Sequence, residues 1–294
     1  MKFNRWKSQD DYSYAFRLFN KYHTYMNSLY WSYVPAYDSA QYTYRNAIKK
    51  VPNNTTHKVF HLSGKNSDRV VSNINEWSKN LKEFDNWTRL NSLVAVNAYF
   101  EIYLSSVISL AIESDLGLLY CFSKEFDGIK VLKYGNQEKY SFYDKSEEIT
   151  KGTWPKRISN YKQIFGKVPV ELEKHEGDLE KIRKIRNDVT HSFGRDIELS
   201  RSRDTKRIID IERISTERLQ KYMGIIREVA RGIDKHLLNN HIGDYENIYY
   251  YHICKDKLIL QNPTQDFKKK LNSLYVKNKG WDYINSLIDY YKKL

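Results

Sequence analysis

Apolar residues recur every three or four positions along most of this chain, a spacing typical of amphipathic helices. The stretch from Asp178 to Gly194 shows the pattern most clearly, because nearly all positions between its apolar residues are charged. The stripe consists of Leu179, Ile182, Ile185 and Val189. We predict a helix that packs this stripe on a core and ends near Gly194, since glycine is common where a helix stops.

The same spacing predicts further helices on both sides of this stretch. They cover Asp68–Phe84, Leu90–Ser114, Trp154–Phe165, Ile214–Leu238, Pro263–Tyr275 and Trp281–Leu294. Asp68, Thr153 and Ser215 are the expected N-caps, and Pro155 suits the first turn of its helix. Leu90–Ser114 is apolar on most faces, which predicts a central buried helix. The run His241–Leu260 fits a strand or a helix.

Residues 117–152 break the helical spacing. Two short β-prone runs, IKVLKY and KYSFYD, are separated by GNQE and flanked by glycines. This arrangement favours a small hairpin-like insertion that decorates the helical core.

The segment Tyr12–Tyr44 is dense in aromatic residues, and two interpretations of it remain open. Residues at helical spacing within it are Tyr12, Phe16, Phe19, His23, Met26 and Tyr30. Packing against the body of the protein is one interpretation. Stacking of these rings on bases, helped by interleaved basic residues, is the other.

Composition points to a polyanionic partner. The 294 residues include 49 Lys and Arg against 36 Asp and Glu, which gives a net charge of +13. Such a charge favours nucleic acid, although it also serves solubility. The opening residues lack an apolar leader and no run of about 18 apolar residues occurs, so we expect a soluble, cytoplasmic protein without a membrane partner. Cys121, Cys254 and the scattered histidines suggest neither a disulfide nor a bound metal or cofactor.

The hexapeptide RNDVTH, residues 186–191, carries the candidate chemistry. A guanidinium binds a phosphate through two hydrogen bonds, and an imidazole accepts a proton near neutral pH. Arg186 and His191 lie five positions apart, so they point roughly 140° away from each other around a helix. They would share one phosphate only across a groove, formed with another helix or a second copy. The alternative is a solvated arginine and a histidine that stabilises the helix end.

Arg186-Asn187-Asp188-Val189-Thr190-His191 resembles the motif of the HEPN superfamily of all-helical RNA-cleaving domains. Leu90–Ser114 and Ile214–Leu238 resemble the long second helix and the last helix of that family. The resemblance implies an all-α, HEPN-like helical bundle and a homodimer with a composite site at its interface. Glu101 matches an acidic or polar position that in the family lies beside the arginine and histidine. We therefore expect an N-terminal helical extension at 1–66, a core at 67–240 and a C-terminal helical extension at 241–294.

Together these features predict a metal-independent endoribonuclease, and the resemblance adds a role in toxin–antitoxin or antiphage defence. His191 would act as general base, Arg186 would hold the scissile phosphate, and Asn187 and Glu101 would orient them. The expected RNA-binding residues are Arg183, Lys184 and Arg195. An antitoxin or regulatory protein is a further expected partner. The alternative is a non-catalytic module that binds RNA or protein.

Overall fold

The computed structural model describes residues 3–135, 142–192, 211–259, 261–274 and 278–294, and this part of the chain is all-α. The predicted fold class is confirmed at that level. The helices are α1 Tyr14–Lys50, α2 Thr56–Val59, α3 Ile74–Ser114, α4 Gly128–Tyr134, α5 Phe142–Thr150, α6 Trp154–Phe165, α7 Val170–Lys174, α8 Glu176–Ser192, α9 Thr216–Leu237, α10 Tyr245–Cys254, α11 Pro263–Leu274 and α12 Trp281–Lys293.

The chain divides into two compact units. The first unit comprises residues 1–19, 100–176 and 228–294, and the second comprises residues 20–99 and 177–227. Helices α1, α3 and α9 each contribute residues to both units. The predicted boundaries after residues 66 and 240 stay predictions.

The core of the second unit is built from the apolar stripes of four helices. Its fully buried side chains include Leu90, Leu93, Val96, Leu179, Ile182, Leu219 and Ile226. Burial of each such side chain stabilises the fold by about 1.5–3 kcal/mol. Two polar contacts add to this packing: His23 contacts the Met223 carbonyl oxygen at 3.0 Å, and the Tyr30 hydroxyl lies 3.1 Å from that of Thr216.

Aromatic rings dominate the core of the first unit. Phe100 is fully buried and stacks on Trp154 with 5.8 Å between ring centroids. Phe16 meets Tyr103 edge to face at 6.0 Å, a favoured geometry for aromatic pairs. Helices α10, α11 and α12 close this core with Tyr245, Phe267, Leu271, Ile284 and Leu287, all fully buried. The C-terminal helices are thus part of the packed first unit.

Helix α3 runs without a break where two helices were predicted. It spans 41 residues from Ile74 to Ser114, and its N-cap is Asn73, whose Oδ1 accepts bonds from the backbone nitrogens of Asn75 and Glu76 at 2.9 and 3.1 Å. Asp68 instead lies in a 3₁₀ turn, so its predicted capping role is wrong. Residues 85–89 stay helical because they contain neither glycine nor proline and the carboxylate of Asp85 pairs with Arg89 one turn later.

The predicted hairpin-like insertion is wrong for the residues that the structure describes. The run IKVLKY lies in α4, and Phe142–Asp144 begin α5; residues 136–141 lie outside the described part of the chain. Asp127 caps α4 by accepting a bond from the Ile129 backbone nitrogen at 2.9 Å. Ile129 is fully buried. The cap and this burial outweigh the weak β-propensity of the run.

Other predicted elements match closely. Helix α6 has the predicted bounds with Pro155 in its first turn, although Thr153 makes no side-chain capping bond. Ser215 caps α9, because its hydroxyl accepts a bond from the Arg218 backbone nitrogen at 3.2 Å. The ambiguous run after Leu238 forms α10. Helix α8 confirms the predicted stripe helix, while its expected stop at Gly194 lies outside the described residues.

By length and composition, α3 is the one helix in the described ranges that qualifies as a membrane span. The core helix of a soluble protein passes the same test. Its residues Leu93 and Val96 are buried in the second unit, and Phe100 and Val107 in the first.

A pair of glycine substitutions tests the close packing around α4. A Cβ atom at Gly128 would lie 1.9 Å from the backbone oxygen of Glu113, whereas one at Gly224, inside α9, would meet nothing within 4 Å. We expect Gly128→Ala to lower the free energy of unfolding by about 1–3 kcal/mol through overpacking. Gly224→Ala should raise it by up to about 1 kcal/mol, because alanine favours helix. Urea denaturation measures both, and equal shifts of the two variants would contradict the packing.

Candidate active site

Helix α8 carries the candidate site at its C-terminal end. Leu179, Ile182 and Ile185 are buried in the second unit, with exposed fractions of 1%, 0% and 5%. At the other end of the helix, Asp178 pairs with Lys221 of α9 at 3.0 Å. The buried stripe and this ion pair fix how α8 lies in its unit, and therefore where its last two turns lie.

Arg186 is half-buried near that end. Its Nη1 atom donates a hydrogen bond to Oδ1 of Asn187 at 2.9 Å. One turn further, the Thr190 hydroxyl donates to the backbone oxygen of Arg186 at 2.9 Å. A guanidinium held by a neighbouring amide has fewer conformations to lose when it binds a phosphate. This hydrogen bond is the contact that an orienting role for Asn187 requires.

His191 is exposed to solvent in the last described turn of α8. Helix geometry places it roughly 140° around the axis from Arg186. The two side chains therefore share one helix end without sharing one face. A single phosphate reaches both only in a groove that a second surface completes.

Asp188 lies inside the motif, and its burial was not predicted from the sequence. It is buried, with an exposed fraction of 8%, between the half-buried Asn187 and Val189. The helical spacing indicates this burial, because Asp188 follows Ile185 by three positions and so lies on the buried side of α8. The residue is therefore largely shielded from solvent in the second unit.

The structure describes two of the three predicted RNA-binding residues. The Arg183 guanidinium binds Glu180 one turn earlier, with Nε 3.0 Å from Oε1, and this carboxylate raises the pKa of Arg183. Its charge is thus largely compensated. Lys184 is exposed on α8. Arg195 lies outside the described residues.

Glu101 lies in the first unit, where Arg157 is a partner. An Arg157 Nη atom lies 3.7 Å from a Glu101 carboxylate oxygen, and the Arg157 side chain is 6% exposed. The same guanidinium donates from Nε to the Gly152 carbonyl oxygen at 3.0 Å and lies 4.8 Å from the centre of the Trp154 ring. The assignment of Glu101 to Arg186 stays a prediction.

The aromatic residues of the N-terminal helix α1 divide between buried and exposed positions, so packing is confirmed for part of them and stacking on bases stays a prediction. His23 and Tyr30 of α1 are buried in the second unit, and Phe16 and Phe19 are buried in the first. Other aromatic residues of the second unit are exposed by 36–68%: Tyr22, Tyr25, Trp31, Tyr42, Phe84 and Trp87. Phe84 and Trp87 stack on one another at 5.6 Å. One side of α1 packs, and another presents rings to solvent.

A buried polar cluster in the first unit was not predicted from the sequence. Asp115 is fully buried, and its carboxylate accepts bonds from His241 Nδ1 at 3.0 Å, the Ser123 hydroxyl at 2.6 Å and the Lys124 backbone nitrogen at 2.6 Å. Burial alone would raise the pKa of Asp115, but these hydrogen bonds lower it. His236 in the last turn of α9 and His241 in the π-helical turn Leu238–Ile242 that follows were the available signal.

His236 makes the stability of the fold depend on pH. Its Nδ1 accepts a bond from the buried Tyr161 hydroxyl at 2.8 Å, and burial, with the nearby charges of His241 and Lys167, lowers the pKa of His236 to about 4. Since this pKa lies below that of the unfolded chain, about 6.5, the contribution is present above pH 6.5 and is lost as the pH falls towards 4. Between pH 7 and 5 we therefore expect the free energy of unfolding to decrease by about 1–2 kcal/mol more in the wild type than in His236→Asn.

Urea denaturation of both proteins at the two pH values measures this difference. The comparison must be made between variants, because burial raises the pKa of Asp234 to about 6 and of Glu246 to about 7, and these carboxyl groups act in the opposite direction. Equal pH slopes for the two proteins would refute the assignment.

Comparison with known proteins adds no relative. The chain matches no protein-family model, no curated protein and no solved structure.

Proposed function

We propose that this protein is a metal-independent endoribonuclease whose active site contains Arg186 and His191. One observation carries the proposal: a half-buried guanidinium, held by the Asn187 amide at 2.9 Å, and an exposed imidazole lie at the same end of one packed helix. An arginine suits a phosphate, and an imidazole suits proton transfer near neutral pH. The motif that places them resembles that of the HEPN superfamily.

The proposed reaction needs only these side chains, the RNA itself and a proton from solvent. His191 accepts the proton of a ribose 2′-hydroxyl, and the 2′ oxygen attacks the adjacent phosphorus. The bond from phosphorus to the 5′ oxygen breaks, and that oxygen takes a proton from solvent. Arg186 stabilises the charge that grows on the phosphoryl oxygens. The products are a 2′,3′-cyclic phosphate and a 5′-hydroxyl end.

A homodimer supplies the second surface that the site requires. Within one α8 helix the two side chains diverge by roughly 140°, so Arg186 of one copy would act with His191 of the other. Two-fold symmetry would then create two equal sites at one interface. This dimer is part of the proposal.

The charge of the protein supports RNA as the substrate. A net charge of +13 attracts a polyanion from solution, and attraction of this kind weakens with salt. The resemblance extends the proposal to toxin–antitoxin or antiphage defence in the cytoplasm, where an antitoxin or regulatory protein would restrain the enzyme.

Incubation of the purified protein with total RNA in excess EDTA tests the proposal. We expect discrete fragments with cyclic phosphate and 5′-hydroxyl ends. Direct labelling of the 5′ end by a kinase identifies the 5′-hydroxyl. Intact RNA under all salt conditions would refute the nuclease.

A second candidate is a module that binds single-stranded RNA without cleaving it. The exposed rings of the second unit favour it, because stacking on a base contributes about 1–3 kcal/mol and tolerates any sequence. Salt-dependent RNA binding by the wild-type protein, without cleavage, would support this candidate.

A further inference from the structure

Helix α3 presents a stacked pair of aromatic rings at the surface of the second unit. The rings of Phe84 and Trp87, here called the ring pair, lie 5.6 Å apart with 22° between their planes. Their exposed fractions are 51% and 36%. Tyr33 of α1 meets the Phe84 ring edge to face at 6.3 Å. An exposed aromatic face of this kind is a surface on which a nucleobase stacks.

Buried polar contacts fix the helix beneath the ring pair. Asn86 is 3% exposed; its Oδ1 accepts from the Ile214 backbone nitrogen at 3.0 Å, and its Nδ2 donates to the Glu212 carbonyl oxygen at 2.9 Å. Arg89 donates from Nε to the Ile214 carbonyl oxygen at 2.7 Å and pairs with Asp85. The rings are therefore held in place before a ligand arrives, which lowers the entropic cost of binding.

Helix α8 runs antiparallel to α9. Asp178 of α8 pairs with Lys221 of α9 at 3.0 Å. Lys174, four residues earlier in the chain, pairs with Glu228, seven residues later in α9, also at 3.0 Å. The residues of α8 that follow Asp178 therefore lie towards the N-terminal end of α9 and then beyond it.

This direction places the RNDVTH motif at the same end of the second unit as the ring pair. Helix α9 begins five residues before Lys221, whereas Arg186 follows Asp178 by eight residues. At about 1.5 Å per residue, Arg186 lies roughly 12 Å along α8, past the start of α9. The segment 212–214, just before that start, binds Asn86 between the two rings. Because packed helices lie about 8–10 Å apart, a strand of a few nucleotides is long enough to reach from Arg186 to the rings.

The second unit also contains most of the positive charge. Its residues include 23 Lys and Arg against 14 Asp and Glu, which gives +9 of the total of +13. We propose that the ring pair stacks on an unpaired base of the RNA that Arg186 and His191 cleave, and so selects single-stranded over duplex RNA. The bases of a duplex are covered by their neighbours and offer the rings no free face. This inference rests on the proposed nuclease for the cleavage step, whereas the binding step stands apart from it.

Equilibrium binding of RNA to the inactive His191→Ala protein tests the ring pair without cleavage. The probes are a fluorescently labelled oligouridine and the duplex that it forms with oligoadenosine. Adding Phe84→Ala or Trp87→Ala should weaken binding of the single strand about 5- to 100-fold, the effect of losing one stacked base. Binding of the duplex should change less than about twofold, because phosphate contacts supply its affinity.

Matched variants show whether the rings themselves bind. Trp87→Phe keeps an aromatic face and should bind the single strand within about threefold of the parent protein. Phe122→Ala removes a ring that is 54% exposed in the first unit and should leave both affinities unchanged. Unchanged single-strand affinity in both alanine variants of the ring pair, or an equal loss in Phe122→Ala or for the duplex, would overturn the inference. So would a changed oligomeric state on sedimentation, because the rings would then hold a second copy.

The active protein separates this inference from the nuclease proposal. There, Phe84→Ala should raise the KM for the single strand by the factor measured in binding and leave kcat within about threefold. Cleavage with an unchanged KM in Phe84→Ala and Trp87→Ala would refute the ring pair alone. A wild-type protein that shows the binding differences without cleaving RNA would refute the nuclease and support the ring pair as a site for single strands.

Discussion

We expect His191→Ala to lower the rate of RNA cleavage about 100- to 10,000-fold, the usual contribution of a positioned general base. The proposed step begins with removal of the 2′-hydroxyl proton, and alanine has no group that accepts it. Because His191 is exposed at a helix end, the substitution should leave the melting temperature nearly unchanged. Initial rates on a labelled RNA in EDTA, together with a melting curve, measure both expectations.

Arg186→Ala should lower the same rate about 100- to 1,000-fold, since it removes the group that stabilises the growing phosphoryl charge. Arg213→Ala is the matched control for charge, because Arg213 is 71% exposed in the same unit and pairs with Glu83. His61→Asn is the control for histidine, since asparagine tolerates the left-handed backbone at that position, where φ is 51°. A rate within threefold of wild type in either site variant would end the proposal.

Mixing the two inactive variants tests whether the site is composite. If Arg186 of one copy acts with His191 of the other, a heterodimer of Arg186→Ala and His191→Ala contains one intact site and one doubly altered site. After subunit exchange in equal amounts, activity should return to about a quarter of wild type. A mixture that stays inactive despite verified exchange would refute the composite site.

Arg5→Ala should lower the free energy of unfolding by about 3–5 kcal/mol, the largest effect on stability that we expect from a single substitution in this protein. Arg5 is 2% exposed, although it lies in the polar N-terminal segment. Its Nε and Nη2 atoms donate to Asp127 at 3.0 and 2.8 Å, and Nη1 donates to the Ser114 hydroxyl at 2.8 Å and the Ile242 carbonyl oxygen at 3.0 Å. Alanine would remove the charge that pairs with Asp127 and leave these buried acceptors with fewer donors.

Urea denaturation of the full chain measures this loss. Arg5→Lys should recover only part of it, because an ammonium group does not reproduce the planar fork of donors or the contact of the guanidinium with Trp6, 3.4 Å from the ring centre. Arg213→Ala, which removes an exposed ion pair, should change the free energy by less than about 1 kcal/mol. A loss below about 1 kcal/mol for Arg5→Ala would show that water replaces its contacts.

Local patterns were enough to place several elements and part of the candidate site. Helices α6, α11 and α12 begin at the predicted residues, because proline, a polar cap or a flanking loop marks each start. The stripe on α8 predicted which residues are buried, since a helix with one apolar face has a single way to bury it. The side-by-side positions of Arg186 and Asn187 likewise follow from the sequence.

Contacts between distant residues could not be predicted in the same way. Nothing near Arg5 marks it as buried, and Asp127, Ser114 and Ile242 come from three other parts of the chain. The β-prone run in α4 becomes helical because Ile129 is buried in the first unit, which its immediate neighbours do not indicate. Glu101 was expected beside Arg186 from a resemblance alone, and the ion pair that the structure describes connects it to Arg157.

The sequence by itself determined the all-α class, the amphipathic helices and the order of residues in the motif, because helix period, capping and charge are properties of neighbouring positions. The tertiary structure decided that α3 is continuous, that Asp188 is buried, and that Arg5 is buried among acceptors from three distant parts of the chain. Those features depend on which surfaces exclude water from each side chain. The packing of the helices determines these surfaces, and neighbouring positions in the sequence do not.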